Sequence, residues 1–410
     1  MTQPKGKLIS QKGGHRSTSL SEPNSQPLLF AAKDKRELND PSARLIKEVV
    51  MRKIALLTFA VLGGLLTMIG CSDNDAVITG PVGWAIGYRS DYTAAILHTA
   101  NGGKTWEEQG NSALWIGLNG NDISAVDEWT AWAAVGSKDV GAILHTADGG
   151  ATWDIQPLPA GVNDAVKGIK GLSRRVAWAV TLGGTVMRTL DGGRNWVVVP
   201  HDGVTIKQVN RIDAMGDDMW IADFGSVDGA MIHSADFGLT WRREPLPGIN
   251  LVNGGPMGIS IVDSKIAWSA VKLDANLYRT TDGGATWRMD APAVSGPNDI
   301  DDICAPEADM VWAAQNIGGM NGGRIIRVRL VNGKVIKDIM DPMSGPYQYE
   351  GVTCFDEKTV WVVGFKAYGV DPGLPEGVIL HTTDGMTWTS QTLPVSDVSL
   401  WKVSFSGAHR

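Results

Sequence analysis

Cysteine is scarce in this 410-residue chain, and its three residues, Cys71, Cys304 and Cys354, exclude a scaffold stapled by disulfides. Long apolar runs are missing as well. The run from Ile54 to Ile69 is short for a membrane-spanning helix, which needs about 20 residues. A basic surplus is lacking too. Residues 71–410 hold 26 Lys/Arg against 39 Asp/Glu, a balance of −13. Such a balance disfavours nucleic acid and anionic lipid as non-specific partners. What the chain has in plenty is glycine (50 residues), suited to many tight turns, and tryptophan (16).

Thirteen of the tryptophans fall in two repeating columns. One column closes a motif that reads ILHTADGGATW at Ile143–Trp153, with copies ending at Trp106, Trp196, Trp241, Trp287 and, shortened, Trp388. Successive spacings are 47, 43, 45, 46 and 101, the last about two units. The second column, Trp84, Trp132, Trp178, Trp220, Trp268, Trp312 and Trp361, marks seven units. A period of about 40 to 50 residues with strand-and-turn patterning signals a radial repeat. Each unit carries four short apolar runs; in the second they are Asp122–Val126, Thr130–Val135, Ala142–Thr146 and Thr152–Gln156. The pattern predicts an all-β, seven-bladed β-propeller with four-stranded blades over residues 77–407. In the sixth unit Gly322–Val335 keeps the strand-turn-strand pattern but loses the Asp and Trp. The first unit lacks a leading strand, and Ser399–Phe405 at the chain end is expected to supply it, closing the ring and its sheet edges.

The first 70 residues stand outside the repeat. Residues 1–50 are polar and irregular, hence disordered or upstream of the true start. Met51-Arg52-Lys53, the apolar run and Gly70-Cys71-Ser72 then form a secretory signal. Met68-Ile69-Gly70-Cys71 resembles a bacterial lipoprotein box with Met in place of the usual Leu, so Cys71 would carry the lipid and residues 71–76 would form a tether. An uncleaved anchor is the alternative. Lys47-Glu48-Val49 can be encoded by a run resembling a ribosome-binding site, which suggests a start at Met51. The expected location is exported and lipid-anchored in the cell envelope.

In the repeated motif, Asp148 is placed to accept hydrogen bonds from turn amides, and Gly149 and Gly150 permit positive φ. Trp153 is large enough to fill the wedge between blades. Asn101, Asp191, Asp236, Asp282 and Asp384 take the place of Asp148 in the other copies. Six copies on six blades cannot converge on one ion or substrate, so these residues read as structural. His98, His145, His233 and His381 share one repeat position with Arg188 and Arg279, so no metal or cofactor site is expected from them. Cys304 and Cys354 occupy matching leading-strand positions and read as buried free thiols, with a bridge left open by an oxidising compartment.

These elements together resemble the bacterial neuraminidase repeat, or Asp-box, propellers; S/T-x-D-x-G-x-T-W is matched at Ser234–Trp241 and Thr280–Trp287. The pairing of a WAVG-like strand with ILHTxDGGxTW is most similar to the photosystem II stability and assembly factor family. That resemblance covers residues 80–405. It implies an exported, non-catalytic propeller that binds another protein, a membrane-complex subunit, and assists assembly. Photosynthetic members carry an arginine-rich patch, whereas the dense pairs here are Arg174-Arg175 and Arg242-Arg243.

Sialidases share the Asp box, but their chemistry needs an arginine cluster, and Arg89 stands alone between residue 71 and the first box. Their early Arg-Ile-Pro motif is absent. Tyr349 beside Glu350 points to the opposite face of an extended segment, and the stretch reads as a loop with a surface aromatic. Xyloglucanase-type enzymes resemble two propellers in tandem. Asp122, Asp164, Asp299 and Asp301 precede leading strands and could face one mouth, although the repeated Asn-Asp at 121–122, 163–164 and 298–299 reads as a turn cap. The Asp-box hairpins are expected on one face and the other loops opposite. Those opposite loops carry Tyr88, Tyr92, Trp115, Phe224, Tyr347, Tyr349 and Tyr368, the candidate binding face for protein or, alternatively, glycan.

Overall fold

The computed structural model describes residues 80–225, 229–249, 255–272, 275–292, 298–317, 322–366 and 375–408, all within the unit Asp75–Arg410. The leader, Cys71, the tether and Tyr368 lie outside the described residues. The described chain forms seven four-stranded antiparallel sheets. Blade 2 runs Gly120–Ala125, Ala131–Ser137, Val140–Thr146 and Asp154–Gln156, close to the runs read from sequence. The innermost strands of blades 3 to 7 are Val166–Gly171, Val209–Met215, Pro256–Ile261, Asn298–Glu307 and Tyr347–Cys354. Blade 1 takes its innermost strand from Ser399–Phe405, which pairs antiparallel with Gly83–Tyr88. Each innermost strand touches the next in a closed cycle. In blade 6, Gly323–Val331 and Lys334–Met340 are joined by Asn332-Gly333, both at positive φ, as a two-residue hairpin turn requires. That turn replaces the Asp box and explains the lost Asp and Trp.

The interblade wedge is built from the two tryptophan columns. Trp132, Trp178, Trp220 and Trp312 each meet the Asp-box Trp of the following blade edge-on, with centroids 5.4–6.4 Å apart. The opposite register partner of each second-strand Trp lies on the third strand. His98, His145, His233 and His381 lie over Trp84, Trp132, Trp220 and Trp361. Arg188, Arg279 and Arg327 place a guanidinium over Trp178, Trp268 and Trp312, so every blade has a ring or cation at this position. Burial pushes His145 down to about 4, so this ring is neutral at physiological pH. Among the described residues no group of three or more His, Cys, Asp or Glu is placed to hold a metal.

The structure corrects the reading of the cysteines. Cys304 and Cys354 form a disulfide, with Cα atoms 6.0 Å apart. Cys304 pairs with Trp312 of the second strand, whereas in blade 7 the residue paired with Trp361 is Thr353, and Cys354 follows it. Matching positions would point the same way around the ring. One residue of offset flips the side chain, so Cys304 and Cys354 point toward each other across adjacent blades.

Candidate functional site

The six Asp boxes are alike in geometry. Thr146 Oγ1 donates to Asp148 Oδ1 at 2.8 Å and accepts from Gly150 N at 2.8 Å. Asp148 also accepts from Thr152 N and Thr152 Oγ1, at 2.9 and 2.7 Å. Asp191, Asp236 and Asp282 repeat the scheme; Asn101 accepts from Thr105 N but donates its own amide to Thr105 Oγ1, and Asp384 closes a tighter loop through Met386 N and Thr387 N. These donors hold the carboxyls low; Asp236 lies at about 2, chiefly through the Thr240 hydroxyl. A Cβ at Gly150 would run into Gln109 of the preceding blade, whose amide straps Trp84 Nε1 to Gly149 O. The box thus fastens its own hairpin and the neighbouring blade. The turns after the innermost strands share its face rather than lying opposite, since Gly149 N donates to Trp129 O and Gly192 N to Arg175 O.

Innermost strands leave one edge unpaired, and those N–H groups need acceptors. Side chains of the preceding blade provide them. Ser404, Ser124 and Ser260 accept from Ala125 N, Gly171 N and Ala305 N at 3.0 Å. Asp122, Asp213 and Asp302 accept from Ile169 N, Ile261 N and Val352 N at 2.8–2.9 Å. Deeper contacts join blades that are not neighbours, so they cross the channel. Lys402 of blade 1 reaches both oxygens of Asp302 of blade 6 at 2.6–2.7 Å, and Arg211 of blade 4 lies 3.7 Å from the same carboxylate. A cup of about 320 Å³ opens above Asp122 and Lys402 toward the Asp-box face.

All seven innermost strands carry a bulge at one level. The extra residues are Trp401, Asn121, Lys167, Asn210, Met257, Asp301 and Glu350, in ring order. A bulge re-aims one side chain, and here it does so once per blade at the opposite mouth of the channel. Lys167 Nζ donates to Asn121 Oδ1 at 3.0 Å. Asn316 Nδ2 donates to both Asp301 Oδ2 (2.6 Å) and Glu350 Oε1 (2.9 Å). Burial, and then the Glu350 and Asp299 charges, push Asp301 well above the usual carboxylate range; burial also raises Glu350. This mouth is the strongest candidate site in the channel. Sequence reading placed Asp301 near it and missed Glu350 as its companion, because an added residue in each strand hides the shared level.

The other acidic candidates separate. Asp122 is not a turn cap: it lies buried inside a strand, and burial raises it. Asp164 does cap, accepting from Ala165 N and Gly183 N. Asp299 faces Lys272 at 3.7 Å. Of the aromatic candidates, Tyr92 is exposed and Tyr88 and Phe224 are half-buried. Trp115, Tyr347 and Tyr349 are buried, correcting their placement on an exposed face. Trp115 Nε1 donates to Ala94 O, and the Tyr347–Glu350 stretch is strand rather than loop. Arg174, Arg242 and Arg243 are held by Asp127, Glu244 and Thr205 O.

The model of the family described as photosynthesis system II assembly factor YCF48 matches residues 173–298. Among solved structures, YCF48 bound to D1 peptide is 17% identical with a TM-score of 0.52, covering 70% of this chain and 90% of its own. YCF48 from Cyanidioschyzon merolae is 16% identical with a TM-score of 0.50, covering 70% and 95%. The chain is a seven-bladed Asp-box propeller, similar over residues 173–298 to the photosystem II assembly-factor family. A GH74 xyloglucanase from Xanthomonas campestris is 12% identical with a TM-score of 0.53; 80% of this chain aligns with 53% of that enzyme, a likeness of fold. No curated protein matches the sequence.

In this propeller the raised Asp301 makes stability depend on pH. The folded chain binds that proton more tightly than the unfolded chain, whose carboxyl titrates at about 3.9. The resulting stability is complete below the unfolded value and is lost as pH rises through the raised one. Asp301→Asn, which cannot ionise, should therefore melt above the wild type at pH 8 and close to it at pH 4. Thermal melts at both values decide; an equal shift at each contradicts the assignment.

Proposed function

We propose that the protein is an exported, non-catalytic propeller, tethered through lipid on Cys71, that binds a protein subunit of a membrane complex and assists its assembly. The observation that carries this is the family match over residues 173–298, which spans the Asp boxes of blades 3 to 5. The likeness to YCF48 bound to D1 peptide supports a polypeptide as the ligand class. The channel agrees: Lys402, Arg211, Asp302 and Asp122 are engaged in holding blades together, and no two of them form a free acid–base pair at the floor of the cup. Crosslinking from native membranes tests the reading. Recovery of membrane-complex subunits is expected, whereas retention on glycans alone would favour a carbohydrate binder.

One observation favours a glycosidase. Asp301 and Glu350 share one amide nitrogen, so their nearest oxygens lie no more than about 5.5 Å apart, close enough for a retaining carboxyl pair. Burial raises both carboxyls above their ordinary range, and Glu350 is buried beneath the mouth. The purified protein is expected to hydrolyse no member of a sialoside and β-glucan panel. Turnover that disappears in Asp301→Asn or Glu350→Gln would replace the binding reading.

A further inference from the structure

We infer that Tyr92, with Leu114 and Ile116 at the rim of blade 1, is the surface on which a protein partner docks, and that the docking segment carries basic side chains beside its apolar ones. The inference rests on the protein-binding reading above and adds where binding occurs and what chemistry it takes.

The first observation is backbone conformation. Tyr92 sits at φ 62 in the turn between the second and third strands of blade 1, where Tyr92 N donates to Arg89 O and Asp91 Oδ1 accepts from Thr93 N. Left-handed backbone suits glycine or asparagine, and a bulky residue there is an outlier. Phe237 is the other aromatic of this kind among the described residues, and the fold uses it: its ring meets Trp178 at 5.2 Å and covers the Arg188 guanidinium at 4.3 Å. Tyr92 is 60% exposed and stacks at 6.1 Å on Tyr88. The fold's own needs would be met better by asparagine, so the tyrosine points to a contact outside the fold.

The second observation is its surroundings. Leu114 and Ile116 are 57% and 70% exposed, although Trp115 between them is buried with its indole N–H on Ala94 O, two residues beyond Tyr92. The two side chains are thus held outward beside the turn by a fixed anchor. From Tyr92 the aromatic contact continues through Tyr88 to Trp401, 5.6 Å further, at the bulge ring of the channel mouth. Rigid aromatic and aliphatic side chains at one place are what a partner's hot spot meets.

The third observation is charge. Among the described residues, Asp91, Glu108 and Asp397 stand around this patch with the guanidinium of Arg89, which reaches Glu108 and the Asp397 carbonyl. Asp397 in turn accepts from Ser90 N and Oγ. Three described carboxylates beside one described cation, on a chain whose residues 71–410 carry −13, select a basic segment and repel an acidic one.

The test uses the mature propeller and two short fluorescent peptides of equal length, one of leucine and lysine and one of leucine and glutamate, titrated by anisotropy at low salt. The lysine peptide is expected to bind and the glutamate peptide not. Tyr92→Asn and Ile116→Ser should each weaken binding by about tenfold or more. Leu239→Ser, at an 81% exposed position in an Asp box on the opposite face, should leave it unchanged. Tyr92→Asn should also melt at or above the wild type. A lower melting point for Tyr92→Asn shows that the ring serves the fold and overturns the proposal. So does indifference to peptide charge, equal loss with Leu239→Ser, or no binding at all. Should the peptides fail while membrane crosslinks join a complex subunit elsewhere on the propeller, this surface is wrong and the protein-binding reading stands. Glycan retention that Tyr92→Asn abolishes overturns both.

Discussion

Replacing Cys304 and Cys354 together by alanine should lower the melting midpoint by roughly 6 °C, with reductant producing a similar loss in the wild type. The bridge closes a loop across 50 residues, and the chain-entropy model assigns such a loop about 4 kcal/mol. Its position adds to the effect. The bond ties the innermost strands of blades 6 and 7, whose neighbour, blade 1, is completed by the last strand of the chain. Opening the ring near that closure frees edges that no local contact restores. Differential scanning of wild type and variant, each with and without reductant, measures the loss. A midpoint unmoved by either change would mean that the two thiols are free.

Lys402→Met should cost about 3 kcal/mol, the lower end for removing one partner of a buried ion pair. Asp302 is 1% exposed, and without the ammonium its charge would keep only the Val352 amide and the more distant Arg211. Adding Asp302→Asn to Lys402→Met removes the stranded charge and should recover most of the loss. Denaturant midpoints of the two single variants and the double variant close the cycle. Additive losses would show that water, rather than Lys402, balances Asp302.

Both expectations depend on residues that repeat-reading cannot rank. Blade number, blade boundaries and ring closure were legible because Trp84 through Trp361 recur with the unit, and because the first unit visibly wanted a strand that Ser399–Phe405 resembled. The Asp box was legible for the same reason, its Asp, Thr and Gly serving a local hairpin. Trp115, Tyr347 and Tyr349 were misplaced because an aromatic in a variable stretch looks alike whether it covers a blade end or faces water. Their burial is decided by partners far along the chain or by a strand that begins earlier than its polar neighbours suggest. Glu350 was hidden by a bulge, which shifts the pleat by one residue without any change in composition.

Local pattern therefore determined the propeller, its seven units and the fastener in six of them, since each rests on contacts within a unit or between consecutive ones. Tertiary structure alone decided which single residues meet across the ring: Lys402 with Asp302, Cys304 with Cys354, Asp301 with Glu350. The reason is geometric. A closed ring brings side chains from different units to one level, and strand alternation turns a one-residue offset into a reversal of direction.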